Sequence, residues 1–414
     1  MIQSSSQKIE ALPIPYPYQG MFTLCSDLDE TPDWQTYAAI CRFLNTTDDS
    51  PMGPGLGLEI GNTLYFDMPD DQFAYWNTSE LGREMTHRLI QSGHIDAFHS
   101  FGDLCTTRSQ ARKNIEALQS AGCELKVWID HAQAISNFGA DIMQGQGDVK
   151  DSESYHADLT LDAGVEYVWV GRVTSVIGQN TPRSLRGLIE PRQIGASVKT
   201  VLKEFAKGMI SRLGKSKYDM HVSNQVLRRT RLRDGQPCYE FLRADPHWAG
   251  VGAEDSSLGL ADSINRRYLD TLCRRNGISI HYTHLGKISD KKRPFTPEVL
   301  NAMRLLKDYA NNKKILVTTT RRILDFCRSL NELSFNLSHR DDHYEIQIET
   351  PSANLTLDGL SFELPGDCRS SHLRDSKGQT VELEITHDKG RCVASAPWPL
   401  LQFPELPDLN GKPA

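Results

Sequence analysis

FTLCSDLDET, residues 22–31, decides how the rest of the chain is read. An apolar, strand-like run stops abruptly at Asp27, with Asp29 and Glu30 directly behind it. Asp27 and Asp29 are two apart, so on an extended segment they project to the same side. Such carboxylates are either a solvated strand end or half of a metal or acid–base site completed from elsewhere. Further along, runs rich in β-branched and aromatic residues recur at 95–100, 125–130, 165–171, 238–243, 278–284 and 315–320. Amphipathic stretches fall between them at 78–93, 109–122, 152–164, 257–277 and 296–312, several closing on Gly where the next strand begins. Seven strands alternating with helices predict a parallel α/β fold. Polar residues at nearly every strand end favour a seven- or eight-stranded barrel over an open sheet, since a barrel builds its site from those ends.

Composition narrows the class. The 414 residues are 39% hydrophobic and 24% charged, ordinary values for a globular protein. The net charge of −7 argues against a general nucleic-acid binder. No run of about 18 apolar residues predicts a membrane span. The first twenty residues lack a basic patch followed by an apolar core, so the expected compartment is the cytoplasm. Nine dispersed cysteines without a CxxC pair read as reduced core thiols. No GxGxxG follows the first strand, and GPGLGLEIG (53–61) lacks the Lys-Ser/Thr of a phosphate loop. GLGLEIGNTLYFD reads as an inserted hairpin turning at Gly61-Asn62.

Three regions follow. Residues 1–331 carry the barrel. Residues 332–403 alternate apolar and polar positions and predict a small antiparallel, sandwich-like β domain. Residues 404–414 are a Pro/Gly-rich tail. Within the barrel region, residues 183–235 hold 13 Lys/Arg and 4 Asp/Glu, a local net charge of +9. There SVKTVLKEFAKGMISRLG (197–214) sets Val198, Val201, Leu202, Phe205, Met209 and Leu213 on one helical face and Lys199, Lys203 and Lys207 on another. Such a helix either packs on the barrel, rests peripherally on an anionic surface or frames an anionic substrate.

The polar strand ends supply the chemistry. His99 and Asp103 close the second strand in IDAFHSFGDL, and imidazole with carboxylates is a normal donor set for a divalent ion. KVWIDHA ends in Asp130 and His131, YEFLRADPHW supplies Arg243, Asp245, His247 and Trp248, and ISIHYTHLGK supplies His281 and His284. A late histidine suits proton delivery near neutral pH. Charges on several strand ends imply a shared cleft, because burying them unpaired is costly.

This order of motifs resembles the polysaccharide deacetylase (NodB-like) superfamily over residues 20–330, which implies a distorted seven-stranded (β/α) barrel. It is also similar to divergent deacetylase-like proteins of surface-polysaccharide gene clusters, through Trp128–His131, Tyr155–Asp158 and Tyr167–Trp169. The resemblance implies Asp27 as catalytic base, with Asp29, His99 and Asp103 as metal ligands. It makes His284 the general acid, with His281 as its competitor, and Arg243 the nearest substitute for the family's motif arginine. An alternative alignment makes Asp29 the base and Glu30 the ligand. Asp103 stands where the family carries a second histidine, and Asp-Leu-Asp replaces its adjacent acidic pair. The implied cofactor is a divalent ion, zinc foremost, with nickel, cobalt or manganese as alternatives. The implied reaction is hydrolysis of an N-acyl group on an amino-sugar saccharide, nucleotide- or lipid-linked, with Asp130, His131 and Trp248 as substrate contacts. Rival expectations are a glycoside hydrolase using paired carboxylates (Asp27 or Asp29 with Asp130 or Asp245), and a non-catalytic carbohydrate-binding scaffold.

Overall fold

A computed structural model describes residues 9–28, 30–132, 134–189, 194–213, 218–247, 256–288, 290–340, 343–350, 355–365 and 368–408. The strands of its first part are β1 (Gly20–Ser26), the short pair β2 (Asp49–Ser50) and β3 (Gly53–Pro54), β4 (Asn62–Leu64), β5 (Ile95–His99), β6 (Val127–Ile129), β7 (Tyr167–Trp169), β8 (Val173–Thr174), β9 (Leu227–Arg231), β10 (Pro237–Phe241), β11 (Arg243–Ala244), β12 (Ile278–Thr283) and β13 (Ile315–Val317). The helices are α1 (Trp34–Asn45), α2 (Glu80–Gln91), α3 (Arg108–Ser120), α4 (Ala157–Asp162), α5 (Ile194–Arg212), α6 (Asp219–Ser223), α7 (Leu260–Ser263), α8 (Arg266–Arg274), α9 (Pro297–Asn311) and α10 (Thr320–Glu332). A second, smaller sheet follows, of β14 (Phe335–Arg340), β15 (His343–Ile348), β16 (Ser361–Leu364), β17 (Ser370–Arg374), β18 (Thr380–Asp388) and β19 (Arg391–Ser395).

The larger sheet is strongly curled into a half-barrel, in the order β8-β11-β12-β1-β4-β5-β6-β7-β10-β9, with β13 added on β1. Its pairs are parallel except β9–β10. Segments 167–174 and 237–244 pair twice, once as β7–β10 and again as β8–β11. Helices that start on good caps pack outside: Asp33 caps α1, Thr107 forms a capping box with Gln110 on α3, and Thr296 caps α9 ahead of Pro297. With both faces covered, β1 is buried along its whole length.

Strand alternation then sorts the residues into two layers. Phe22, Leu24, Phe98, Trp128 and Val168 turn outward and pack with Tyr37, Ile40, Leu89 and Leu306 of the helices. Met21, Cys25, Ala97, Val127, Ile129, Tyr167, Trp169, Ile280 and Tyr282 turn inward. This inner cluster runs on through Ile323 and Phe326 of α10 to Ile346, Phe362 and Leu373 of the smaller sheet. The smaller sheet therefore shares its core with the inside of the larger one. Its order is β14-β15-β17-β18-β19-β16. β18 pairs with β17 through one half and β19 through the other, and β15–β17 is parallel within an otherwise antiparallel set.

Seven expected strands are present, and four local readings change. Residues 55–67 are not a hairpin: Asn62–Leu64 is a parallel strand between β1 and β5, and the short ribbon is 49–54. Gly61 is needed there because a Cβ would lie 2.5 Å from the Asp96 carboxylate. The expected helix 152–164 is helical only over α4. The expected helix 257–277 breaks after Ser263, and Asn265 caps a new start at α8. α10, unanticipated, starts on a Thr319 cap.

Buried imidazoles give the fold a pH dependence. Burial pushes His94 and His156 down to about 4, from an ordinary value of 6.5. His156 packs against Trp128 and Phe138, and its ring nitrogens face Thr160 Oγ1 and the Ser136 carbonyl, each at 2.8 Å. Between about pH 6.5 and 4 the unfolded chain binds more protons than the native one, so stability falls with acid across that window. Thermal melts should show Tm dropping as pH is lowered from 6.5 to 4.5, with a shallower drop in His156→Gln. A flat Tm over that interval would mean these rings are not neutral in the native state.

Candidate active site

β1 runs straight into Asp27, whose amide donates to the Thr283 carbonyl at 3.1 Å. Its carboxylate therefore stays on the inner face, 1% exposed. Arg243, opening β11 and wholly buried, meets it there: Nη2 donates to Asp27 Oδ1 at 3.1 Å and to the Cys25 carbonyl. Trp169 and Tyr282 face the guanidinium, 4.7 and 4.3 Å from its carbon to their ring centroids. Its Nε and Nη1 have no hydrogen-bond partner among the described residues, so the two ring faces stand in for acceptors. Burial alone would raise the Asp27 pKa. The Arg243 charge, aided by His99 and His284, overrides it and holds the carboxyl well below the usual carboxylate range.

Two imidazoles face the other oxygen. His284 Nε2 is 3.3 Å and His99 Nε2 3.7 Å from Asp27 Oδ2. Burial keeps His284 neutral by lowering it to about 3. Its Nδ1 has no hydrogen-bond partner among the described residues. The Tyr65 ring stacks on His99 with centroids 4.8 Å apart and meets His131 edge-on at 4.9 Å.

His131 leads outward from this floor. Its Nδ1 lies 2.9 Å from Asp103 Oδ1, and its Nε2 4.0 Å from Glu30 Oε1. Asn137 holds the loop, accepting from the His131 amide at 2.9 Å and donating to its carbonyl at 3.0 Å. Lys287 approaches Glu30 at 3.4 Å. That approach needs Gly286, where a Cβ would come within 2.5 Å of the Leu28 carbonyl oxygen. Asp103 and Lys287 are partly open to solvent, at 45% and 37% of their side chains, while Asp27 is closed off. The arrangement is thus a buried ionic floor below a wetter acid–base rim.

The alternation separates the expected residues. Asp27, His99, Asp103, His131, Arg243 and His284 come together. Asp130 and His281 turn to the outer layer. Asp130 accepts from Trp128 Nε1 and from the Phe138 and Gly139 amides, at 2.8 to 2.9 Å. Burial raises it to about 7 against those three donors. His281 stacks on Phe22 and is pushed down to about 4 by burial. Trp128 and Trp169 are fully buried core residues. Asp29 and Trp248 lie outside the described residues. Three contributors were not anticipated in these positions: Tyr65, hidden in the supposed hairpin; Lys287; and Glu30 as a partner of His131. Tyr65 comes two residues after Thr63, just past the end of β4, so alternation carried on from a recognised strand would have found it.

The donor chemistry of His99 with two carboxylates suits a divalent ion. Asp103, however, is engaged by His131, and among the described residues no three His, Cys, Asp or Glu are grouped to hold one. The described side chains do not assemble the expected cage.

No protein-family model, curated protein or solved structure matches the chain. The site is therefore read on its own geometry.

Removing Arg243 would leave the buried Asp27 carboxylate without its guanidinium partner. Arg243→Leu should cost about 3–5 kcal/mol in urea unfolding. Arg243→Leu combined with Asp27→Asn should recover part of that loss. A cost of less than about 1 kcal/mol would show the pair is solvated.

Proposed function

We propose that the chain is a hydrolase of the polysaccharide deacetylase (NodB-like) type. It would remove an N-acyl group from an amino-sugar saccharide, nucleotide- or lipid-linked, in the cytoplasm. The observation that carries this reading is the convergence of two carboxylate–imidazole pairs on one end of the curled sheet. The double pairing of segments 167–174 and 237–244 supports reading that sheet as a distorted seven-stranded (β/α) barrel. The resemblance would have Asp29, His99 and Asp103 hold a divalent ion that supplies Lewis-acid chemistry, but Asp103 is engaged by His131 and the described side chains are not grouped to hold one. The roles below need only the described side chains.

The rim pair carries the proton. Asp103 fixes His131 through Nδ1, so Nε2 is the nitrogen that exchanges protons. It takes one from the attacking water as the C–O bond forms. It returns that proton to the nitrogen as the C–N bond breaks, releasing the amine and the carboxylic acid. Asp27 serves differently from the expected base. A carboxylate held well below its usual range by Arg243 accepts a proton poorly at neutral pH, so it acts as the fixed negative charge that orients His284 and His99. Of the carboxylates a glycosidase would pair, Asp130 faces the outer layer, Asp27 is taken by Arg243, Asp245 is buried and accepts from the His247 amide at 2.8 Å, and Asp29 lies outside the described residues.

Acetate release from N-acetylated amino-sugar oligosaccharides tests this, beside release of reducing ends and metal analysis of the purified protein. His131→Gln and Asp103→Asn should each lower acetate release by about 100-fold or more. His281→Gln should change it by less than about tenfold. Reducing ends without acetate would establish the glycosidase instead. Activity that survives His131→Gln would remove the proposed proton carrier.

A further inference from the structure

α5 sits the wrong way round for an ordinary surface helix. It packs through polar residues: Glu204 is fully buried, receives Lys207 Nζ at 2.7 Å and approaches Thr174 Oγ1 at 3.4 Å and the Ser175 amide at 3.3 Å. Lys207 also donates to the Val173 carbonyl at 2.9 Å, and Ser197 is buried on the same side. The apolar side, expected to face the protein, faces away from it. Ile194, Val198, Leu202, Phe205, Met209 and Leu213 are exposed, from 42% at Met209 to 78% at Leu213. They follow the spacing of four, four, three, four and four that makes one continuous stripe on a helix. Lys199 borders the stripe on one edge and Arg212 on the other, both exposed.

We propose that α5 is a docking helix that lies flat in the surface of an anionic lipid bilayer. Its apolar stripe would enter the boundary between headgroups and acyl chains, and its basic margins would stay among the phosphates. Charge selects this occupant. Residues 183–235 carry +9 in a chain of −7, and Arg192, Lys215 and Lys217 bracket the helix in sequence. A second copy of the chain would bring two such segments face to face, which repulsion opposes. An anionic membrane attracts them. The geometry is in-plane, for no described helix is long and apolar enough to cross a membrane.

The helix is tied to Val173–Ser175, just beyond the inward-turned Trp169 that covers Arg243. Docking would therefore hold the polar end of the sheet near the bilayer. This placement does not depend on the hydrolase reading, and the test leaves activity aside.

Co-sedimentation of the full chain with phosphatidylcholine vesicles containing about 30% phosphatidylglycerol is the measurement. The chain should bind these vesicles, and binding should fall at least about tenfold on pure phosphatidylcholine or between about 0.05 and 0.5 M salt. Leu202→Glu with Phe205→Glu should abolish it. Leu400→Glu, at an exposed leucine away from α5, should leave it intact. Both positions on α5 are exposed, so unchanged circular dichroism and Tm should accompany the loss. No sedimentation with anionic vesicles overturns the proposal. So does binding indifferent to Leu202→Glu/Phe205→Glu, or a dimer in light scattering that those substitutions dissolve.

Discussion

The ion pair between Asp27 and Arg243 is the contact on which the interior depends. Each charge left water on folding, and each is tolerable only because the other is there. The requirement recruits four parts of the sheet at once. β1 delivers the carboxylate and the Cys25 carbonyl, and β11 the guanidinium. β7 and β12 deliver the two rings that face it. A slip of one residue in any of these strands would turn its contributor to the opposite face and strand a charge. The pair therefore fixes register as well as chemistry. It also explains why the inner layer is large and aromatic at this level: Trp169 and Tyr282 fill the space around a guanidinium that has few oxygen partners.

From this floor the polarity rises outward in steps. His284 and His99 are buried and face a permanent negative charge. His131 is next, and Asp103, Glu30 and Lys287 reach solvent. The gradient assigns different work to chemically similar groups. Asp27 is locked by a guanidinium, whereas Asp103 is bonded to an imidazole whose second nitrogen points toward the rim. Two carboxylate–imidazole pairs in one cleft are thus not interchangeable. The inner pair is closed off around a guanidinium, and the outer pair lies at the solvent-open rim.

Much of this was legible in the sequence, and the reason is alternation. The seven expected strands stand where β-branched and aromatic runs placed them, because strands covered on both faces must be apolar throughout. Four of the expected site residues then follow from parity alone. Asp27 shares a face with Met21 and Cys25, His99 with Ala97, His131 with Val127 and Ile129, and His284 with Ile280 and Tyr282. The same rule sends His281 and Asp130 to the outer layer, a distinction that a list of polar strand ends does not make. β4 was missed because only three residues pair, directly after a glycine-rich run whose Gly61-Asn62 mimics a turn. Nothing local separates such a strand from a hairpin, and its identity comes from β1 and β5 on either side. The break between α7 and α8 was hidden for a similar reason, since Asn265 acts as a cap only once the preceding turn has ended.

α5 shows where periodicity stops informing. Its sequence defines two faces, one apolar and one basic, but periodicity does not say which face meets the protein. The usual assumption is that the apolar face does, since burial of about 25 cal/mol per Å² favours it. Here the underlying surface decides. Val173–Ser175 present backbone groups and a hydroxyl at the edge of the curled sheet, and these need partners rather than cover. Glu204 and Lys207 supply them, with His221 and Arg183 closing around the same carboxylate. Once Glu204 is committed inward, the residues about half a turn away must point out, whatever their hydrophobicity. The exposed stripe is thus the geometric consequence of satisfying a polar sheet edge, and its stabilisation has to come from whatever surface that stripe meets.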